Sequence, residues 1–277
     1  MEYRKLYDLG VSRLKEAGIE EAALDARLLL EEVCGTDRND LLVHGESLVT
    51  ENQSEQYRKY VDLRRKHIPL QHILGYQEFM GMKFKVTPDV LIPRQDTETL
   101  VEEVMRNLHD GMRILDMCTG SGCILLSLLR YSNDCVGTGC DLSEAALQVA
   151  RENAQALLLE AEFIQSDLFE KVHGKYEMIV SNPPYIPSKV IPTLMEEVRD
   201  HDPLMALDGK EDGLYFYREI IKGAERYLYP GGMLFFEIGC SQAEDVSRYL
   251  KEAGYKEVTV CKDLAGLDRV VSGVYGG

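Results

Sequence analysis

The 277-residue sequence lacks the features of a membrane protein or a metal protein. No apolar run approaches the ~18 residues that cross a bilayer, so we expect no membrane span. The first five residues are too polar for a secretory signal peptide, so we expect none. The seven cysteines form no Cys-x-x-Cys pair, and no histidine has a second ligand at a zinc-type spacing. We therefore predict no metal site, reduced thiols and a cytoplasmic location.

Basic residues are also scarce. The chain has 31 Lys and Arg against 47 Asp and Glu, a formal net charge of −16. Most of the excess falls in residues 96–277, which hold 17 basic and 31 acidic residues. Enzymes of nucleic acids usually present a basic surface. The charge therefore argues against direct nucleic-acid binding and suits a protein partner with a basic surface.

The pattern of the chain changes twice. Residues 1–75 carry apolar residues at helical spacing, which predicts a small helical bundle with Thr36 and Thr50 as N-caps. The bundle contains no catalytic motif, so we interpret it as a folding or substrate-docking domain. Residues 76–95 form a predicted linker, in which residues 77–86 alternate around Gly81 as a β-hairpin does.

Residues 96–277 alternate between strand-like and helix-like segments, which predicts an α/β domain with a mostly parallel sheet covered on both faces. Asp96 is predicted to cap a helix that runs to Leu108. We expect helices between the first six strands and an antiparallel hairpin at the end. The seven predicted strands lie near residues 113–117, 135–140, 161–165, 177–181, 232–238, 256–261 and 269–275.

A glycine-containing turn follows the first of these strands. The strand carries Asp116, and glycines at 120 and 122 would let a ligand approach the backbone closely. The next strand ends in Asp141, 25 residues after Asp116, where an acidic residue commonly holds ribose hydroxyls. The third glycine of the dinucleotide fingerprint is missing. The turn therefore favours a nucleoside ligand that has no pyrophosphate.

The fourth strand runs into Asn182-Pro183-Pro184-Tyr185. The Asn182 side-chain oxygen and the Pro183 carbonyl can each accept one N–H of a planar NH2 group. The two prolines stiffen the loop and remove backbone donors, and Tyr185 offers a flat face to the same group. Taken alone, the four residues are equally compatible with an ordinary turn at the end of a strand.

The glycine turn and the Asn-Pro-Pro-Tyr motif together resemble an S-adenosylmethionine-dependent amino-methyltransferase. Nearly the whole chain resembles the HemK/PrmC family, which methylates the side-chain amide of the glutamine in the Gly-Gly-Gln motif of bacterial peptide chain release factors. This resemblance implies a class I, Rossmann-like methyltransferase fold, S-adenosylmethionine as donor, S-adenosylhomocysteine as product and release factors as partners. We expect a monomer. Beyond the two motifs, the resemblance rests on residues 69–75, 78–79, 91–98, 166–169 and 203–207.

The resemblance also implies roles for individual residues. Asn182, Pro183 and Tyr185 would act in catalysis, and Arg94, Glu98 and Pro184 would join them in binding the substrate. Two residues depart from the family pattern: Cys118 replaces a glycine, which predicts a non-glycine backbone conformation there, and Leu168 replaces an aromatic ring beside adenine. The residues expected to bind the donor are Asp116, Cys118, Thr119, Gly120, Ser121, Gly122, Asp141, Asp167, Leu168 and Asn182.

Three alternatives stay open on the sequence. The same acceptor motif would serve a methyltransferase acting on an exocyclic NH2 of adenine or guanine, although such an enzyme needs a basic groove and a way to extract the base. A nicotinamide oxidoreductase would explain the glycine turn but not residues 182–185. A non-enzymatic adaptor built on the same fold would be expected to have lost one of the two motifs.

Overall fold

The computed structural model describes residues 1–277, which form two compact units. The first unit comprises Met1–Tyr76 together with Met195–His201, and the second comprises Gln77–Leu194 together with Asp202–Gly277. The first unit is thus discontinuous along the chain. Its predicted docking role is not tested by this division and stays a prediction.

The first unit is a bundle of short helices around a core that includes Leu6, Leu14, Leu29 and Tyr57. Thr50 caps its helix in a reciprocal box with Gln53, as predicted. The prediction for Thr36 was wrong, because Asp37 caps the following helix and the Thr36 hydroxyl bonds to Tyr3. The helices are α1 (Tyr3–Glu16), α2 (Ala22–Cys34), α3 (Arg38–Val43), α4 (Glu51–Arg64), α5 (Leu70–Leu74) and, from the distant segment, α9 (Glu196–His201).

The second unit contains two sheets. Strands β1 (Tyr76–Phe79) and β2 (Met82–Lys85) form the predicted hairpin. The other seven strands form one sheet in the order β5-β4-β3-β6-β7-β9-β8. They are β3 (Arg113–Met117), β4 (Val136–Asp141), β5 (Glu162–Gln165), β6 (Tyr176–Ser181), β7 (Leu228–Glu237), β8 (Lys256–Lys262) and β9 (Asp268–Val274).

The large sheet is parallel from β5 to β7. Strand β9 runs antiparallel to both β7 and β8 and lies between them, so the expected C-terminal hairpin is present with β8 as the edge strand. The order reverses at β3, whose two neighbours are β4 and β6. Open α/β sheets bind ligands outside the carboxyl ends of the strands at such a reversal, which places the candidate site.

Helices cover both faces of the sheet. Alternate strand residues point to opposite sides, so Leu115 and Phe236 belong to one buried cluster and Ile114 and Phe235 to another. Helices α11 (Tyr215–Ala224) and α12 (Ala243–Glu252) pack on the first side. On the second side lie α6 (Glu98–Met105), α7 (Cys123–Arg130) and α8 (Glu144–Leu157). The short helix α10 (Leu204–Leu207) precedes α11.

Three predictions about helices were wrong. No helix joins β5 to β6, because residues 166–175 form turns in which the Ser166 hydroxyl satisfies the Leu168 carbonyl and the Lys171 N–H. Asp96 does not cap α6. A 3₁₀ turn, Gln95–Thr97, precedes that helix, and the Asp96 carboxylate lies 3.2 Å from Arg269. The helix also ends at Met105, before the predicted Leu108.

A buried arginine joins the two segments of the first unit. The Arg64 side chain, only 7% exposed, donates from Nε to Asp25 at 2.7 Å and from Nη2 to Glu197 at 2.6 Å. Its Nη1 donates to the Ile68 carbonyl at 3.2 Å. One guanidinium therefore satisfies two carboxylates and a carbonyl, and it holds α9 to the bundle.

We expect Arg64→Ala to lower the free energy of unfolding of the first unit by roughly 3–5 kcal/mol, because it leaves the buried Asp25 carboxylate without its cation. Native-state hydrogen exchange of the α2 and α4 amides measures the change. Arg58→Ala, an exposed position on the same helix, is the matched control. Equal effects of the two substitutions would show that the buried Arg64 cation stabilises the first unit no more than an exposed arginine does.

Candidate active site

A cleft opens where β3, β4 and β6 end. The space between its walls, counted out to its open mouth, is about 1070 Å³. Most of the residues singled out in the sequence meet there. Those that line the cleft are Arg94, Cys118, Thr119, Gly120, Ser121, Asp141, Asp167, Leu168, Asn182 and Pro184.

The turn after β3 forms one wall of the cleft. Gly120 has φ +54°, and a Cβ at this position would meet no atom within 4 Å, so its surface is open to a ligand. Gly122, with φ +79°, is the N-cap of α7 and does not line the cleft. The expectation for Cys118 was wrong: it has φ +63° and keeps the left-handed conformation that favours glycine.

Two aspartates support this turn in different ways. Asp141 accepts the Gly120 N–H and the Ser143 N–H, both at 2.9 Å, and lines the cleft. Burial raises its pKa, and these N–H groups oppose the shift. Asp116 is fully buried beneath the turn, accepts the Thr119 hydroxyl at 2.6 Å and does not line the cleft. Burial raises the pKa of Asp116 to about 7.

Asp167 and Leu168 line the cleft from the loop after β5. Leu168 has φ +45°, and its carbonyl accepts the Ser166 hydroxyl at 2.8 Å. The aliphatic side chain also packs against the core cluster of the sheet. The loop therefore presents a carboxylate and an apolar surface side by side, which suits a heteroaromatic ring with an exocyclic amino group.

The loop after β6 brings the acceptor motif to the opposite wall. The Ser181 hydroxyl donates to the Met117 carbonyl at 2.6 Å and so ties the ends of β6 and β3 together. Asn182 follows directly, lines the cleft, and donates from Nδ2 to Thr97 Oγ1 at 3.4 Å. Pro183 and Pro184 are buried, and only Pro184 lines the cleft. The Pro183 carbonyl makes no hydrogen bond within the chain.

Tyr185 does not line the cleft, although its predicted role places it against the substrate. Its hydroxyl donates instead to Glu237 Oε1 at 3.4 Å, at the end of β7. Glu237 is 2% exposed, and burial raises its pKa to about 7, opposed by Thr97, Arg269 and the Tyr185 hydroxyl. The tyrosine thus anchors the motif to the sheet.

A buried glutamine clamps the same loop. Gln242 donates from Nε2 to the carbonyls of Tyr185 and Gly213, at 3.0 and 3.1 Å, and its Oε1 accepts the Gly239 N–H at 2.9 Å. A Cβ on Gly213, whose φ is +75°, would lie 2.4 Å from the Tyr185 carbonyl oxygen. This position therefore requires glycine, and residues 182–185 are rigidly held.

Arg94 and Glu98, which lie on either side of the 3₁₀ turn, have different surroundings. Arg94 lines the cleft and pairs with the buried carboxylate of Asp202. Glu98 does not line the cleft; it accepts the Met80 N–H at 2.6 Å and so holds the hairpin turn. Spacing along the sequence could not distinguish the two, because one 3₁₀ turn between them sends their side chains in different directions.

Several lining residues carried no site prediction. They include Thr97, Ser143, Met205, Lys210 and Phe216. The sequence offered a signal for three of them. Ser143 is the N-cap of α8, directly after the strand that ends in Asp141, and Thr97 and Met205 lie in segments 91–98 and 203–207, which carry the family resemblance. Lys210 and Phe216 lie outside every segment that the sequence analysis singled out. No group of three or more His, Cys, Asp or Glu side chains could hold a metal ion, and no helix is long and apolar enough to cross a membrane.

The buried carboxyl of Glu237 should make stability depend on pH. Its pKa rises from an ordinary value of 4.5 to about 7, so the folded protein retains a proton that the unfolded chain has lost. The stabilisation is fully present below the unfolded pKa and is lost as pH rises through the folded pKa. Glu237→Gln is neutral throughout.

We therefore expect wild type to lose on the order of 1–3 kcal/mol relative to Glu237→Gln between about pH 5 and about pH 8. Thermal unfolding of both proteins across this range measures the difference, with the exposed Glu225→Gln as control. A gap that stays constant with pH would contradict the assigned shift.

Both parts of the chain match known protein families. Residues 5–75 match the family described as the PrmC N-terminal domain, and residues 94–198 match the methyltransferase small domain. The chain is 41% identical over 273 residues to the release factor glutamine methyltransferase of Clostridium acetobutylicum, covering 96% of each. It is 40% identical over 274 residues to that of Geobacter sulfurreducens, covering 99% of this chain and 96% of the relative.

Solved structures show the same fold. A methyltransferase from Pyrococcus furiosus gives a TM-score of 0.55 at 16% identity, covering 71% of this chain and 90% of that one. The T. thermophilus 16S rRNA N2 G1207 methyltransferase RsmC, in complex with AdoMet and guanosine, gives 0.54 at 18% identity, covering 72% and 49%. The expected class I methyltransferase fold is confirmed. Because its curated relatives match at about 40% identity over nearly their whole length, the chain belongs to the release factor glutamine methyltransferase family.

Proposed function

We propose that this protein transfers a methyl group from S-adenosylmethionine to the side-chain amide nitrogen of the glutamine in the Gly-Gly-Gln motif of peptide chain release factors. One observation carries the proposal: the glycine turn with Asp141 and the acceptor residue Asn182 line the same cleft. A donor held by the turn and an amide held by Asn182 would therefore meet.

The donor side of the cleft fits S-adenosylmethionine, which supplies an electrophilic methyl group on a sulfonium sulfur. The Asp141 carboxylate accepts one backbone N–H on each oxygen, which leaves lone pairs for the two ribose hydroxyls. Asp167 and Leu168 would border the adenine. Cys118, Thr119, Gly120 and Ser121 would follow the methionine portion, while Asp116 and Gly122 would act by shaping the turn.

The acceptor side provides the second half of the chemistry. The Asn182 side-chain oxygen and the Pro183 carbonyl would each accept one N–H of the glutamine amide. This orients the nitrogen toward the methyl carbon and stabilises the positive charge that develops on it. The amide nitrogen forms its bond to carbon as the carbon–sulfur bond breaks, and it then loses one proton to solvent. Tyr185 and Pro184 would keep residues 182–185 rigid. Arg94, held by its ion pair with Asp202, would help to position the substrate at the entrance of the cleft.

The partner is proposed to be a release factor in the cytoplasm. The net charge of −16 suits a basic protein surface better than a phosphate backbone. The curated relatives are named for release factors, and no observation favours the adenine or guanine alternative. We further propose that residues 1–75, which hold no catalytic motif, contact the release factor away from its glutamine, because remote contacts raise the efficiency of a large substrate.

The donor site has its own test. We expect Asp141→Ala to weaken S-adenosylmethionine binding by roughly 1.5–3 kcal/mol, the scale of hydrogen bonds to a charged group. Isothermal titration calorimetry measures it. Asp8→Ala, an exposed carboxylate of the first unit, should bind the donor as wild type does. Unchanged affinity in Asp141→Ala would remove this carboxylate from the donor site.

The reaction is tested by incubating the protein with purified release factor and methyl-labelled S-adenosylmethionine, then mapping the label by mass spectrometry. We expect the label on the glutamine of the Gly-Gly-Gln motif. Asn182→Ala should lower the rate by ~10²–10³ while donor binding stays largely intact, because Asn182 is not the main anchor of the donor. The exposed Asn133→Ala should have no effect. Label on nucleic acid alone, or full activity of Asn182→Ala, would contradict the proposal.

A further inference from the structure

Asn153 is a buried polar residue of α8 that has no part in the proposed chemistry. It is 1% exposed and does not line the cleft. Its Oδ1 accepts the Lys85 N–H at 2.7 Å, and its Nδ2 donates to the carbonyls of Lys85 and Ser121, at 3.1 and 2.9 Å. One side-chain amide therefore binds two stretches of backbone that are far apart along the chain.

The direction of this amide is unambiguous. A backbone N–H can only donate and a carbonyl can only accept, so the Asn153 oxygen must face the N–H and its NH2 group the two carbonyls. If the amide were turned over, like groups would face each other at all three contacts. The hydrogen bonds therefore hold Lys85 and Ser121 in one fixed arrangement.

Ser121 is the end of this arrangement that lies in the donor site. It belongs to the glycine turn after β3 and lines the cleft. Helix α8 also packs closely against the same turn, because a Cβ on Gly122 would lie 3.2 Å from the Ala150 Cβ. The turn is thus held to α8 both by packing and by the Asn153 hydrogen bond.

Lys85 is the other end, where a second part of the cleft lining begins. It is the last residue of β2, which has a strand partner only on the β1 side, so the Asn153 amide supplies hydrogen bonds that a further strand would make. Val86 and Val90 then pack against α8 in a small buried cluster. Residues 89–91 of this segment line the cleft.

We propose that Asn153 is a positioning residue of the donor site. By binding Lys85 and Ser121 together, it fixes residues 89–91 relative to the glycine turn and so sets the shape of the pocket that receives S-adenosylmethionine. The inference rests on the proposed function, which supplies the donor. Asn153 acts only through the backbone that it holds, and the acceptor residues of the β6 loop are fixed by other contacts, those of Ser181 and Gln242.

The test is Asn153→Ala, with calorimetric titration of S-adenosylmethionine and steady-state kinetics on release factor. Without the amide, the turn and residues 89–91 would hold the binding arrangement for only part of the time, and the apparent Kd rises in inverse proportion to that fraction. We expect the Kd and KM of the donor to rise by about 5- to 50-fold. At saturating donor, kcat should stay within about threefold of wild type.

Val246→Ala is the control for a general loss of stability. Val246 is buried on α12, on the other side of the sheet from α8. Its truncation should lower the melting temperature and leave donor affinity unchanged, whereas a role of Asn153 in stability alone would make the two variants behave alike.

Val86→Ala is a second variant that loosens the same segment while Asn153 stays in place. Val86 packs in the cluster on α8 and does not line the cleft. We expect the donor Kd to rise by about 2- to 10-fold with kcat retained. This variant decides the question if Asn153→Ala does not fold.

Four results would overturn the inference: unchanged donor affinity in folded Asn153→Ala, a loss of its kcat with normal donor affinity, an equal loss of donor affinity in Val246→Ala, or unchanged donor affinity in Val86→Ala. Failure of the proposed function looks different. A wild-type protein that binds S-adenosylmethionine but leaves release factor unlabelled would reject that function and leave this inference standing, whereas one that does not bind S-adenosylmethionine would reject both.

Discussion

The parallel pairing of β3 with both β4 and β6 is the constraint on which the site depends. Met117, at the end of β3, is level with Cys140 on one side and with Ser181 on the other. Neighbouring strands lie about 4.8 Å apart, so the residues that follow these three positions must share one edge of the sheet. The glycine turn, Asp141 and Asn182 are therefore brought together by backbone hydrogen bonding, before any of their side chains interact.

The same edge contains an unusual amount of buried polarity. Asp116 and Glu237 are each almost fully buried at the ends of strands, and burial raises both pKa values to about 7. Carboxyl groups at such depth cost free energy unless their hydrogen bonds are well formed. Each of them holds a hydroxyl of a neighbouring site residue, Thr119 in one case and Tyr185 in the other. The other oxygen of each carboxyl, Asp116 Oδ1 and Glu237 Oε2, is buried without a hydrogen-bond partner, so these two groups cost the fold stability.

The sequence predicted the sheet well because its central strands, β3, β6 and β7, contain buried apolar runs and because helices separate most of the strands. It failed where side-chain hydrogen bonds decided local structure. Ser166 stabilises turns where a helix was expected, and Asp37 instead of Thr36 caps α3. The residue types and their order could predict the glycine turn and Asn182. They could not show that Glu98 turns away to Met80, because that follows from a tertiary contact. The left-handed conformation of Cys118 is the one that the family's glycine at this position favours.

The discontinuity of the first unit has a consequence for how the chain can be divided. Met195–His201 lies between Leu194 and Asp202, which both belong to the second unit, yet its Glu197 is bound by Arg64 of the bundle. Removing residues 1–76 would leave that segment without its arginine, and removing the segment would leave Arg64 with one carboxylate fewer. Residues 1–76 and Met195–His201 therefore share this ion pair although they are far apart along the chain. Recombination between relatives should therefore exchange the bundle and this short segment together, because Arg64 lies in one and its partner Glu197 in the other.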